Sequence, residues 1–137
     1  MTKNSLYKML NNNLQLIECV TTANKDYLQS LLAVGFYAIA LKSELQELTT
    51  QLDYSYSNTQ ILLLDNETSL IGQPLTLEAV AKNYQEGNRR FYSAIRGHGG
   101  YLPTEKLLTY LQALKINTSI NLLAFESAYN QLLALTQ

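Results

Sequence analysis

The sequence predicts a mainly α-helical fold, an antiparallel bundle of four to six helices in a single helical domain that spans residues 1–137. Three observations lead to this prediction. A length of 137 residues fits one domain with its own hydrophobic core. A stretch at about residues 25–52 has the apolar spacing of a buried helix. Several further segments have helical spacing and recognisable start signals, and we expect them to pack around this central hydrophobic helix.

The central helix is predicted from an apolar stripe with steps of three and four residues. Between residues 31 and 41, apolar side chains also fill the other faces, as in a helix surrounded by neighbours. This run of 11 residues is too short for a membrane span, which needs about 20 apolar residues. A coiled-coil partner is an alternative, but we favour burial within the domain. The stripe consists of Leu31, Val34, Ala38, Leu41, Leu45, Leu48 and Leu52.

The segments on either side of the central helix are less clear. A first helix should begin at an N-cap provided by Asn4 or Ser5 and continue to about Val20, although one bent helix as far as Leu52 is an open alternative. Residues 53–74 combine alternation of period two with a short apolar run. They fit either a small β-hairpin or a helix to about Leu64 followed by an irregular connection, and we favour the helix.

The second half of the chain has clearer helix signals. Thr76 is the predicted N-cap of a helix whose inner face extends to Ile95, with Gly87 in mid-helix. A glycine-rich turn ends this helix, and Pro103 introduces the next one. We expect a last helix after a kink or a short turn in which Thr118 or Ser119 is the cap.

Composition and charge limit the classes of function. Charged residues make up 15% of the chain, against about 25% in an average globular protein, and the net charge of −1 argues against a dedicated nucleic-acid binder. Residues 42–78 hold one base and six acids, whereas residues 82–106 hold five bases and two acids. A weakly charged surface loses water at little cost, and opposite charges attract. We therefore expect a protein partner or self-association.

Cysteine and histidine are too few for the common metal sites. Cys19 is the only cysteine, so the chain has no intrachain disulfide and no thiolate metal cluster. His98 is the only histidine, and we predict neither a metal nor a cofactor. The N-terminus lacks the apolar run of a signal peptide, which favours a cytoplasmic location.

One segment, residues 86–101, concentrates functional groups and is the candidate binding site. Glycines beside arginines at the start of a helix can hold an anion, and Arg and Tyr can stack on single-stranded bases. The competing interpretation is an ordinary turn between helices with solvated arginines. No catalytic residue is predicted. The candidate binding residues are Arg89, Arg90, Arg96, His98 and Tyr101.

These observations predict a non-catalytic protein-interaction or assembly component, such as an adaptor, a small chaperone or a subunit of a larger complex. The alternative is an anion- or nucleic-acid-binding module that uses residues 86–101, with nucleic acid the less favoured partner. An enzyme is the third hypothesis. It would require His98 to lie beside an acid such as Glu86 or Glu105, which spacing alone cannot establish.

Overall fold

The computed structural model describes residues 14–64 and 73–136 and contains a four-stranded parallel β-sheet. In chain order its elements are β1 (Gln15–Val20), α1 (Lys25–Leu32), β2 (Ala38–Lys42), a 3₁₀ segment (Ser43–Gln51), β3 (Gln60–Leu64), α2 (Leu77–Gln85), β4 (Arg90–Ser93), a loop (Ile95–Gly100), α3 (Thr104–Ala113) and α4 (Leu122–Leu135). The strand order is β3-β2-β1-β4, and every pair is parallel. The protein is therefore an α/β fold, and the predicted antiparallel helical bundle is wrong.

The predicted central helix at residues 25–52 is divided among several elements. Only its first part is α1, and the chain then turns at Gly35, where φ is +98°, before it enters β2. Ala38 and Leu41, neighbours on the predicted stripe, belong to hydrophobic clusters on opposite faces of the sheet. The apolar run is long because a central parallel strand is covered on both faces, not because a helix is surrounded by neighbours.

Residues 15–20 form a strand and not the end of a first helix. Leu16 and Val20 pack into the main hydrophobic cluster, whereas Ile17 packs on the other face, which is the alternation of a strand. The earlier part of the predicted helix, residues 4–13, lies outside the described residues.

The favoured helix to about Leu64 is also wrong, because residues 60–64 form β3. This strand pairs in parallel with β2, with Gln60 opposite Ala38 and Leu63 opposite Leu41. Residues 65–72, where a hairpin would turn and return, lie outside the described residues. Short apolar runs of this length fit either a strand or a buried helix segment, so periodicity alone could not decide.

Helix α2 begins where the sequence predicts but ends earlier. The Thr76 hydroxyl oxygen accepts a hydrogen bond from the Ala79 N–H at 3.1 Å, which confirms the N-cap. Gly87 then has a φ of +102°, a left-handed conformation that favours glycine and ends the helix. The chain enters β4 three residues later, so the expected helix through Phe91 to Ile95 is not formed.

The last two helices lie close to their predicted positions. Helix α3 follows Pro103, as expected. Helix α4 is capped by Asn121, whose side chain accepts from the Ala124 N–H at 3.1 Å, and not by Thr118 or Ser119. In the part of the chain that the structure describes, no helix is long and apolar enough to cross a membrane.

Two hydrophobic clusters cover the sheet. The main cluster joins side chains of β1, β2 and β4 to those of all four described helices. Beside this cluster, α1 and α4 are also linked by a hydrogen bond, which the Ser30 hydroxyl donates to Gln131 Oε1 at 2.5 Å. The second cluster, on the opposite face, is built from smaller side chains. Its buried members are Ile17, Cys19, Ala38, Ala40, Leu64 and Ala94.

Candidate functional site

The five predicted binding residues lie at different places in the structure. Arg89 and Arg90 stand at the amino end of β4, whereas Arg96 and His98 follow its carboxyl end. The four residues of β4 span roughly 13 Å at about 3.3 Å per residue. Tyr101 packs against the second hydrophobic cluster, on the other face of the sheet from the main core. The predicted site is therefore divided into Arg89 and Arg90 at one end of β4 and Arg96 and His98 at the other, with Tyr101 on the opposite face of the sheet.

Arg89 and Arg90 make local contacts at the amino end of β4. The Arg89 guanidinium lies 3.8 Å above the Tyr84 ring and donates to the Tyr84 carbonyl oxygen at 2.8 Å. A cation at this position stabilises the carboxyl end of α2. The Arg90 Nε donates to Gln15 Oε1 at 2.9 Å, and its guanidinium lies 5.3 Å from the centre of the Tyr37 ring.

Three amide groups of the 95–100 loop are hydrogen-bonded inside the molecule. The Ile95 N–H donates to Glu18 Oε2 at 2.7 Å, and the Arg96 N–H donates to Glu105 Oε1 at 2.9 Å. The Gly97 N–H donates to the Ala94 carbonyl oxygen at 2.8 Å. An external anion would have to displace the two carboxyl groups to bind the Ile95 and Arg96 amides.

Arg96 holds an unusual backbone conformation in this loop. Its φ is +64°, which costs about 1 kcal/mol or more for a residue other than glycine. Its guanidinium donates to the Thr136 hydroxyl at 2.9 Å, just beyond the end of α4. The two hydrogen bonds made by the Arg96 backbone and side chain hold the loop between α3 and α4.

Glu18 is a buried carboxyl group that was not among the predicted binding residues. It lies on β1 with 1% of its surface exposed. Thr104 Oγ1 is 2.5 Å from Glu18 Oε1 and 2.8 Å from Ser93 Oγ. Burial raises the pKa of Glu18 to about 8, even though the hydrogen bonds from Thr104 and Ile95 act in the opposite direction. The only local signal was one acidic residue inside the apolar sequence LIECV.

Glu18 is part of a chain of hydrogen bonds. A threonine hydroxyl has a single proton, so Thr104 cannot donate to both of its partners. When Glu18 is ionised, Thr104 Oγ1 donates to it and accepts from Ser93 Oγ; when Glu18 is protonated, it can donate to Thr104 Oγ1, which then donates to Ser93 Oγ, and in both forms the other Glu18 oxygen accepts from the Ile95 N–H. This cluster joins β1, β4, the 95–100 loop and the start of α3.

A small cavity lies beside this cluster, at the carboxyl ends of β1 and β4. The chain order of the strands reverses between these two, and by analogy other open parallel sheets bind ligands at such a point. The cavity has a volume of about 10 Å³, which is room for roughly one water molecule. Its polar lining includes Glu18, Thr21, Thr22, Tyr27 and His98.

The enzyme hypothesis required His98 to lie beside Glu86 or Glu105. Glu86 is the C-cap of α2, at the amino end of β4 and therefore at the other end of that strand from His98. Glu105 is bonded to the Arg96 N–H in the 95–100 loop. Within residues 14–64 and 73–136, no three His, Cys, Asp or Glu side chains cluster closely enough to hold a metal ion.

The two edges of the sheet differ in how they are covered. Along β4, the Tyr92 N–H donates to Gln73 Oε1 at 3.4 Å, and Ala94, two residues later, forms a bridge with Pro103. The Ala94 N–H also donates to the Leu102 carbonyl oxygen at 3.0 Å. At the opposite edge, β3 pairs with β2, and no other described strand pairs with it.

Comparisons with protein-family models, with curated proteins and with solved structures find no match to this chain.

Proposed function

We propose that this chain is a non-catalytic assembly component that binds another protein surface through the outer edge of β3. The observation that carries the proposal is the difference between the two sheet edges. The β4 edge is covered by residues 102–104 and by Gln73, as natural proteins commonly cover a sheet edge. Among the described residues, only β2 pairs with β3.

The side chains of β3 also support a protein contact. The strand has the sequence QILLL, without a charged residue or a proline to discourage pairing. Leu63 is 43% exposed, and Ile61 and Leu62 are half-buried. Covering the exposed part of Leu63 contributes about 1 kcal/mol, since full burial of a leucine contributes roughly 2 kcal/mol. Each backbone hydrogen bond gained at the edge contributes about 1 kcal/mol more.

The internal contacts of the 95–100 loop do not favour the anion-binding alternative. The amides of Ile95, Arg96 and Gly97 already have partners within the chain. The arginines that would provide positive charge are divided between the two ends of β4. A protein contact at β3 does not require any of these internal hydrogen bonds to break.

A pair of matched substitutions tests the proposal. Leu63→Lys places a charge on the β3 edge, where lysine is a natural protection against pairing and should not disturb folding. Leu123→Lys makes the same change on α4, where the leucine is 80% exposed. We expect Leu63→Lys to abolish co-purification with the native partner and any self-association, and Leu123→Lys to retain both. Equal behaviour of the two variants in pull-down and light-scattering measurements would exclude the β3 edge as the contact.

A further inference from the structure

We infer that the partner at the β3 edge is a second copy of this chain, paired antiparallel with Leu62 on the twofold axis. This inference rests on the proposed function, because it names the partner of the same edge. The resulting dimer would have one continuous eight-stranded sheet, with four strands from each copy.

The hydrogen bonds of β3 determine which groups are available at its outer edge. The Gln60 N–H donates to the Tyr37 carbonyl oxygen, on the β2 side, at 3.1 Å. Backbone groups of successive strand residues alternate between the two sides of a strand, so the N–H and C=O groups of Gln60, Leu62 and Leu64 point towards β2. The N–H and C=O groups of Ile61 and Leu63 therefore point to the outer edge.

One register uses all of these outward groups. With Leu62 on the axis, Ile61 of each copy stands opposite Leu63 of the other, and each such pair exchanges two hydrogen bonds. Gln60 then stands opposite Leu64, so all five residues of β3 are paired. Centring the axis on Ile61 or Leu63 leaves part of the strand unpaired and forms fewer hydrogen bonds.

The same register keeps the two faces of the sheet continuous. Directly opposite residues of an antiparallel pair point to the same face. Ile61 packs against the main cluster, and its odd-numbered partner, Leu63, points the same way. Leu62 packs against the second cluster and meets its own copy. A shift of one residue would place side chains from the main-cluster face of one copy on the second-cluster face of the other.

Charge does not oppose this pairing. No residue of β3 is charged, so two copies of the strand bring no like charges opposite each other. Pairing through a strand of only five residues buries less surface than a typical stable complex does. We therefore expect a dimer that dissociates on dilution.

Single-cysteine variants test both the partner and the register. In the inferred dimer, Leu62 forms a non-hydrogen-bonded pair with its own copy, with Cα atoms about 4.5 Å apart, which is compatible with a disulfide. We expect Leu62→Cys to form a covalent dimer on mild oxidation. Ile61→Cys should cross-link at least tenfold more slowly, because residue 61 faces residue 63 and not itself. The double variant Ile61→Cys, Leu63→Cys should restore cross-linking.

The wild-type protein is the control for background oxidation. Cys19 is 4% exposed, and burial together with the nearby Glu18 raises its pKa to about 12, so its thiol is a poor nucleophile. Equal cross-linking of Leu62→Cys and Ile61→Cys would overturn the register. Absence of any dimer over the accessible concentrations would overturn self-pairing.

Amide hydrogen exchange tests the same pairing without a substitution. The Ile61 and Leu63 amides should exchange more slowly as the protein concentration rises, while the Gln60 amide, already bonded to Tyr37, should not change. Concentration-independent exchange at all three positions would contradict the dimer. If the protein is a monomer but Leu63→Lys abolishes its binding to a different protein, the inferred dimer is wrong and the proposed function stands. The two failures can therefore be told apart.

Discussion

Glu18 connects proton binding to the stability of the fold. Its pKa is raised from an ordinary value of 4.5 to about 8, mainly by burial. The folded chain therefore holds this proton more tightly than the unfolded chain. The associated stability is fully present below about pH 4.5 and is lost as the pH rises towards 8. Within this window each pH unit changes the free energy of unfolding by up to about 1.4 kcal/mol.

Substitution of Glu18 by glutamine should remove most of this pH dependence. The amide oxygen can accept from the Ile95 N–H, and the amide nitrogen can donate to Thr104 Oγ1, so the hydrogen bonds remain without an ionisable group. We expect Glu18→Gln to be more stable than the wild type by a few kcal/mol at about pH 8 and nearly equal to it at about pH 5. Urea denaturation followed by circular dichroism measures both values.

Glu126→Gln is the matched control, because Glu126 lies exposed on α4. Its stability should follow the wild-type pH profile within about 0.5 kcal/mol. A Glu18→Gln profile parallel to that of the wild type would show that the carboxyl group does not titrate between these pH values.

The sequence could identify some residues of the candidate site but not their arrangement. Glycines 97, 99 and 100 marked the 95–100 loop, and the structure places Arg96 and His98 in it. The partner of this loop, Glu18, lies 77 residues before Ile95, and no local pattern specifies a contact over that distance. A lone acid in an apolar segment is the signal that would have indicated a buried carboxyl group.

At the scale of single elements, Gly87 distinguishes the predicted helix from the observed turn. In mid-helix, glycine is about 1 kcal/mol less favourable than alanine, so Gly87→Ala would stabilise the predicted helix. The observed φ of +102° is strained for any residue with a Cβ, although no other atom lies within 4 Å of the position a Cβ would take. The predicted helix and the observed turn therefore predict opposite effects of Gly87→Ala on the free energy of unfolding.

We expect Gly87→Ala to lower the free energy of unfolding by about 1 to 2 kcal/mol, because alanine must adopt a left-handed conformation. Thermal and urea unfolding measure this change. Gln85→Ala, at the exposed last residue of α2, provides a control that should remain within about 0.5 kcal/mol of the wild type. A more stable Gly87→Ala protein would contradict the turn.

The sequence predicts which residues are buried better than it predicts whether they form a helix or a strand. Leu31, Ala38 and Leu41, three members of the predicted stripe, are each completely buried. Steps of three and four residues happen to fit them, although they belong to a helix and to the two faces of a strand. A central parallel strand lacks the alternation that identifies an exposed strand, so its apolar run resembles a buried helix.

At the scale of the whole molecule, the unevenly distributed charged residues take no part in the inferred dimer contact. The acids and bases of residues 42–78 and 82–106 lie outside β3, whose five residues are neutral. We expect the dissociation constant of the dimer to change by less than about twofold between roughly 0.05 M and 0.5 M salt. Sedimentation equilibrium at the two salt concentrations measures it. A several-fold weakening of the dimer at high salt would instead indicate a contact between residues 42–78 of one copy and residues 82–106 of the other.

The first described strand, β1, lies inside the sheet and forms contacts with much later parts of the chain. Glu18 meets Thr104 across 86 residues, and Ser30 on α1 meets Gln131 on α4 across 101 residues. During synthesis on a ribosome, β1 and β2 emerge long before β4 and α4 can cover them. Their apolar side chains therefore stay accessible to water and to chaperones until α4 has emerged. Folding that depends on such distant contacts is slow, and the nascent chain is exposed to aggregation for longer than a helical bundle of equal length.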